Sequence, residues 1–255
     1  MSTSYGGDQI TFLDTTTQAS AQVGLKNRVI DGGFILNQRV YVSGTALASG
    51  VYGHDRWKGG ASGGTYTFTQ GALGVNTTIT ITAGSIIQVI EGCNVAEGGT
   101  YVLSWTGTAQ GRLNGGTYGA SGTVTVTGWT AGTNLNVEFN TGTCGSVQLE
   151  KGSIATSFDY RDYGRELSMC QRYYETGTLA FTGQAINVQG SGYVFTFSVQ
   201  KRTVPTVVFT NITAYNFGTV ASSWQTSTSN IGAYHFGTTT GAATWVDTFT
   251  ASAEL

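Results

Sequence analysis

Residues 146–177, SVQLEKGSIATSFDYRDYGRELSMCQRYYETG, hold the one place where the chain leaves Gly/Thr-rich strand and takes on helical spacing. Val147 and Leu149, then Phe158 and Tyr160, alternate with polar residues as a half-buried strand and its continuation would. After that the period changes. Tyr163, Leu167, Cys170 and Tyr174 are spaced four, three and four apart, which puts them on one face of an α-helix, with Arg165, Glu166, Gln171 and Arg172 largely elsewhere. Asp162 is placed to cap the amino end with its carboxylate, and Gly177 to close the carboxyl end in a left-handed conformation. About three turns of helix between two long β-patterned regions predict a joint between two domains.

Upstream of this stretch the chain repeats short alternating segments: TYTFTQ, TTITIT, SIIQVI, TYVLSWT, TVTVTGWT, NLNVEFN and SVQLEK, divided by turn signals at Gly98-Gly99, Asn114-Gly115-Gly116 and Ala131-Gly132. Strands recurring about every ten residues, with hardly any helix, predict an antiparallel sandwich or jelly roll. Asp31-Gly32-Gly33 predicts a turn with positive φ, and Trp57 a core position. Downstream, LAFTG, YVFTFSVQ, TVVFTNI, AYHFGTTT and ATWVDTFTASAEL predict a second β unit, in which Pro205, lacking an N–H, suits a strand start or edge. The expected fold is therefore all-β. A jelly-roll-like β-sandwich spans 29–160, a junction helix 161–177 and a C-terminal β domain 178–255. The preceding segment, 1–28, has Ile10, Phe12 and Leu13 to add one strand, and is either an attachment segment or an ordinary flexible terminus.

Composition narrows the function. Charged residues are only 10% of the 255, against roughly 25% in ordinary soluble domains, and 38 glycines fill much of the gap. With 12% aromatics this describes a rigid β-rich protein with a neutral polar surface. A net charge of -2 supplies no basic footprint, so nucleic acid is not an expected partner. No cationic start runs into an apolar stretch, and no stretch is long enough to span a bilayer, so neither a signal peptide nor membrane insertion is expected. Cys93, Cys144 and Cys170 are expected as buried thiols, with a Cys93–Cys144 bridge as the alternative.

Catalysis has little to stand on. His54 and His235 adjoin no nucleophile elbow, and neither a phosphate-binding loop nor a paired-His zinc motif is present. His54 beside Asp55 suits a satisfied turn residue. Glu91 with Glu97, or Glu138 with Glu150, are the acid pairs that folding could bring across a cleft. No catalytic residue, metal ligand or cofactor is expected. Binding is better supported, because Tyr215, Asn216, Trp224, Gln225, Asn230 and Tyr234 lie among Gly, Ser and Thr, and aromatic faces with neutral amides suit sugar rings. Phe217 and Tyr234 are the aromatics a core would most readily claim, and Trp224 is expected to be exposed. Arg161, Arg165, Glu166 and Arg172 form either contacts between protomers or a solvated helix face.

Gln148-Leu149-Glu150-Lys151-Gly152, Ala155-Thr156, Phe158 and Tyr160-Arg161, followed by Gly164, Glu166-Leu167 and Cys170-Gln171-Arg172-Tyr173-Tyr174, resemble the junction of many bacteriophage tail-fibre and related virion proteins. Asn27-Arg28-Val29-Ile30-Asp31-Gly32-Gly33-Phe34 with Asp55-Arg56-Trp57 resembles the opening of that family's sandwich, with Asp31 where Asn is commoner. Thr203-Val204-Pro205-Thr206-Val207 and the ending Thr250 to Leu255 are also similar. The resemblance implies a homotrimeric virion protein assembled in the host cytoplasm, meeting other virion proteins through residues 1–28. Tip loops within 211–240 would hold a host-surface glycan non-covalently. The alternatives are a head fibre, capsid decoration or baseplate connector without a receptor role, and a polysaccharide depolymerase.

Overall fold

The computed structural model describes residues 26–218 and 226–255 in full and, of the rest, the backbone of four strand segments. Three of these form a small antiparallel sheet, β1 (Tyr5–Gly6), β2 (Gln9–Thr11) and β3 (Thr17–Gln18). Ile10 thus lies in a strand, while Phe12 and Leu13 fall outside the described residues.

Alternating apolar positions then build the first domain from β4 (Ala46–Leu47), β5 (Lys58–Thr67), β6 (Ile79–Ile90), β7 (Gly99–Thr106), β8 (Gly111–Leu113), β9 (Val124–Trp129), β10 (Leu135–Phe139) and β11 (Gly142–Lys151). All pair antiparallel in one curled sheet, in the order β4-β5-β6-β11-β7-β9, with β10 joining β6 to β8. The expected strands TTITIT and SIIQVI are one strand. β6 runs through both and bends at Gly84 (φ 66°), beside a slip in its register with β5. A Cβ on Gly84 would stand 2.2 Å from the Gly63 carbonyl oxygen, so the two strands can cross closely there only as glycine. Residues 79–81 of β6 pair with β11 and 86–90 with β10, which wraps the sheet around a core of Phe34, Trp57, Tyr66, Trp105 and Phe139.

The Asp31-Gly32-Gly33 turn differs from its expected form. Positive φ falls on Asp31 (53°) and Phe34 (50°), not on the glycines. Gly32 is instead a point of close approach: a Cβ there would lie 2.2 Å from the Val147 carbonyl oxygen, and Val147 N–H donates to the Gly32 carbonyl at 2.8 Å. Cys144 and Cys170 are buried, but Cys93, in a short 3-10 turn at Gly92–Val95, is exposed; all three thiols are free, so the alternative bridge does not form.

The helix α1 spans Tyr163–Gln171, capped as expected by Asp162, whose carboxylate accepts from Arg165 N–H at 2.9 Å. It ends six residues before Gly177. Arg172 closes it, and the chain passes directly into β12 (Tyr174–Ala185), where Gly177 serves packing: a Cβ would stand 2.6 Å from the Phe249 ring. Cys170, with Tyr163 and Leu167 beside it, packs on Ile30, Leu36 and Tyr173. Tyr174 leaves the helix face altogether and lies under the Arg39 guanidinium, 3.8 Å from its ring centroid.

Beyond β12 come β13 (Gly190–Thr196), β14 (Thr206–Tyr215), β15 (Ser222–Thr226), β16 (Asn230–Phe236) and β17 (Gly241–Ser252). They form two three-stranded antiparallel sheets, β12-β17-β14 and β13-β16-β15, around Phe197, Phe217, Trp245 and Phe249. Pro205 immediately precedes β14, an edge strand, as its missing N–H requires. β17 brings the chain back to the joint. There Glu254 is held between Arg39 (2.9 Å) and Arg56, Arg56 stacks 3.6 Å over the Tyr173 ring, and the Leu255 oxygen accepts from Tyr52 Oη (2.7 Å) and Lys58 Nζ (2.6 Å). Arg39, Arg56, Lys58 and Glu254 thus tie the chain's end to the first domain.

Candidate ligand-binding site

Strand direction defines two ends of the second domain. β12, β14 and β16 run away from the joint, and β13, β15 and β17 return, so the loop segments 186–189, 216–218 and 237–240 share the distal end. Twelve extended residues of β12 set that end roughly 40 Å from the joint. Backbone bonds tie the described parts of these loops together. Val188 N–H donates to Gly237 (2.9 Å), Gly237 N–H to Gln189 (2.8 Å), and Gly218 N–H to Phe236 (2.9 Å). Asn216, with φ 57°, donates from Nδ2 to Ala242 (2.9 Å) and accepts from Thr239 Oγ1 (2.6 Å).

This apex presents apolar surface. Val188 is 78% exposed, Tyr215 62%, Phe236 52% and Ile186 50%. Val188 also has φ 60°, a conformation that a β-branched residue adopts only when its surroundings impose it. The segments 186–192, 211–218 and 236–244 carry no charged side chain. An uncharged, apolar, hydrogen-bonded apex can stack against the C–H face of a sugar or an apolar protein surface, and its loop amides and hydroxyls can take hydroxyl groups.

The six residues singled out in sequence do not converge on one spot. Tyr215 is exposed at the apex, and Asn216 is there but with its amide committed to the loops. Tyr234 is half-buried on the outer face of β16, edge-to-face with Phe236 at 5.2 Å. Asn230 opens β16 at the end nearer the joint. Trp224 and Gln225 lie in β15, and their side chains are outside the described residues. Phe217 is buried, as a core aromatic should be. Ile186, Val188 and Phe236 were not singled out, although an apolar pair in a Gly-bounded loop, AINVQGSG, was a legible signal.

The charged residues of the junction are mostly committed within the chain. The Arg161 side chain is buried, donating to Val29 (2.9 Å), to Asn27 and to both carboxylate oxygens of Glu166 (3.1 Å). Arg172 reaches Glu91 at 3.3 Å, and Tyr173 Oη donates to the same carboxylate at 2.7 Å. Burial works to raise the Glu91 carboxyl, but those partners hold it below the usual carboxylate range. Arg165 is exposed.

The acids considered for chemistry have separate partners: Glu97 pairs with Arg28, Glu138 with Arg112 and Ser85, and Glu150 with Thr156 and Gln148. His54 is buried and satisfied, accepting from Tyr66 Oη (3.0 Å) and donating to Gln70 Oε1 (3.2 Å); burial lowers it from 6.5 to about 4. His235 contacts Asp247 at 2.6 Å, and both side chains are wholly buried. Among the described residues no group of three or more His, Cys, Asp or Glu is placed to hold a metal ion, and no helix is long and apolar enough to cross a membrane.

In comparison with known proteins, no family model, curated protein or solved structure matches the chain.

Proposed function

We propose that this chain is a virion fibre protein of bacteriophage type, which attaches to the host surface by holding a glycan non-covalently at the distal apex of its second β domain. Its sequence resemblance supplies the class. The observation that carries the binding role is the apex itself: four exposed apolar side chains on uncharged loops, cross-bonded and held with Val188 in a left-handed conformation. Rigid loops lose little entropy on binding, and repetition in a homotrimer multiplies weak sites into avidity. Residues 1–28, at the other end of the chain, would meet other virion proteins.

The test uses the full chain on an array of bacterial surface polysaccharides and on intact cells of candidate hosts. Val188→Asn keeps a residue that tolerates positive φ while removing the apolar side chain, and Tyr215→Ala and Trp224→Ala remove the candidate aromatics. Specific binding weakened about tenfold or more by Val188→Asn or Tyr215→Ala supports the reading, since such a loss is about 1.4 kcal/mol per site. An intact assembly that binds nothing would point to a decoration or connector role instead, and variants that bind as wild type does would overturn the apex as the binding site.

A further inference from the structure

The distal part of the second domain has no cation to offer a ligand. All 12 Lys and Arg residues of the chain lie at or before Arg202. Lys201 and Arg202, the last two, are held at the joint. Lys201 Nζ donates to Glu175, and Arg202 Nε and Nη2 donate to the carbonyls of Ala253 and Glu254, each at 2.9 Å. Residues 176–200 and 203–246, which include the whole apex, hold no Lys, Arg, Asp or Glu. Asp247, the next acid, is wholly buried against His235.

An anion can also be held without a cation, by backbone N–H groups that converge from a turn or a helix end. Among the described residues this domain has no helix, and the apex turns have their N–H groups in use. Asn187 N–H donates to Thr240 Oγ1 (3.2 Å), Gln189 N–H to the Ile186 carbonyl (2.9 Å) and Thr238 N–H to the Asn216 carbonyl (3.0 Å). Those of Val188, Gly218 and Gly237 are bonded across the loops as well. Thr239 Oγ1 and the Asn216 amide are likewise taken up within the apex. A phosphate or carboxylate brought here would lose hydration and gain neither a counter-charge nor a donor from these groups. The C–H face of an uncharged sugar loses little by the same move, because it packs on Val188, Tyr215 and Phe236 while its hydroxyls stay at the wet rim.

We propose that the glycan held at the apex is an uncharged polysaccharide, gripped through the C–H faces of its sugars, and that polymers bearing phosphate or uronate groups are discriminated against. The inference rests on the glycan-binding reading above and narrows its ligand class. A site without charge gains nothing from long-range attraction, so its affinity does not depend on salt. An acidic polymer would have to find the cations of the first domain and the joint, such as the exposed Arg165, and its affinity would fall steeply as salt rises.

The experiment titrates the full chain with neutral and with acidic bacterial surface polysaccharides, and with host cells, with Val188→Asn and Tyr215→Ala in parallel. Sodium chloride is varied from about 0.01 to 1 M, over which the screening length falls from about 30 to 3 Å. The expected result is binding of neutral polymers in preference to acidic ones, with an affinity for host cells that changes less than about threefold across the series. Acidic polymers bound as tightly as neutral ones, or an affinity that falls by more than that with salt, overturn the proposal. If Val188→Asn still weakens such binding about tenfold, the apex remains the site and only the ligand class is wrong. Salt-independent binding of neutral polymers that both variants leave intact overturns the apex reading while the ligand class stands. A chain that binds no polymer and no cell overturns both.

Discussion

The buried pair of His235 and Asp247 sets up a sharp test of what holds the second domain together. Asp247 accepts from His235 Nε2 at 2.6 Å and from Asn211 Nδ2 at 2.8 Å, while His235 Nδ1 meets the Gly218 carbonyl at 2.5 Å. Trp245 covers the imidazole, with ring centroids 4.7 Å apart. In Asp247→Ala, Asn211 keeps other acceptors at Thr213 (3.1 Å) and Val246 (3.4 Å), so the loss falls on the imidazole. Its Nε2 is left in a dry interior with no partner. Leaving a buried polar group without its partner costs about 1–3 kcal/mol. For a domain of this size each kcal/mol moves the midpoint about 4–8 °C, so the second domain should melt at least roughly 4 °C earlier. Thermal unfolding followed by circular dichroism and tryptophan fluorescence measures it, and a cycle with His235→Ala isolates the pair. The double variant should cost less than the sum of the singles by about 1–3 kcal/mol. A cost below about 1 kcal/mol for Asp247→Ala, or additivity within about 0.5 kcal/mol, would refute the reasoning.

Three further outcomes follow from the first domain. His54 titrates near 6.5 when unfolded but only at about 4 when folded, so its stabilising contribution is complete above pH 6.5 and is lost as pH falls from 6.5 to 4. At 1.36 kcal/mol per pH unit this is about 3 kcal/mol, and His54→Gln should show a shallower fall in urea midpoint over that window. Burial also pushes the Asp31 and Asp55 carboxyls up, and their contributions change in the opposite sense, so the comparison is between variant and wild type at each pH. Asp31→Asn should raise the melting temperature at pH 8 by about 2–4 °C. An asparagine oxygen can keep the N–H bonds from Ile35 (2.8 Å) and Leu36 (3.2 Å), while the change removes a desolvated carboxyl that faces Asp55 and Glu166; a fall would count against this account. Gly32→Ala should destabilise by about 2 kcal/mol or more, because the added carbon meets the Val147 backbone and cannot be relieved by a side-chain rotation; chemical denaturation at neutral pH decides it.

Much of the fold was legible because it is written in local period. Alternation marks most strands of both domains, and Asp162 marks the helix start, since a cap needs only its own sequence neighbours. The helix end was misread because Gly177 looks like a cap. Its actual constraint, the Phe249 ring, comes from a strand more than seventy residues later. Likewise, TTITIT and SIIQVI read as two strands, yet they are one, with Gly84 in the left-handed region between them. Asp247 was a missed signal. In TWVDTFT it shares the inward face with Trp245 and Phe249, and a carboxylate among apolar neighbours demands a partner.

Sequence alone determined the all-β class and the start of the helix at Asp162, because composition and short-range period settle which faces are apolar and a cap needs only its sequence neighbours. Only the tertiary structure decided which residues meet. It placed Val188, Ile186, Tyr215 and Phe236 on one apex, left Asn230 at the opposite end, and turned the junction charges inward onto one another. Those outcomes depend on strand direction and register between segments far apart in the chain, and no local pattern carries that information.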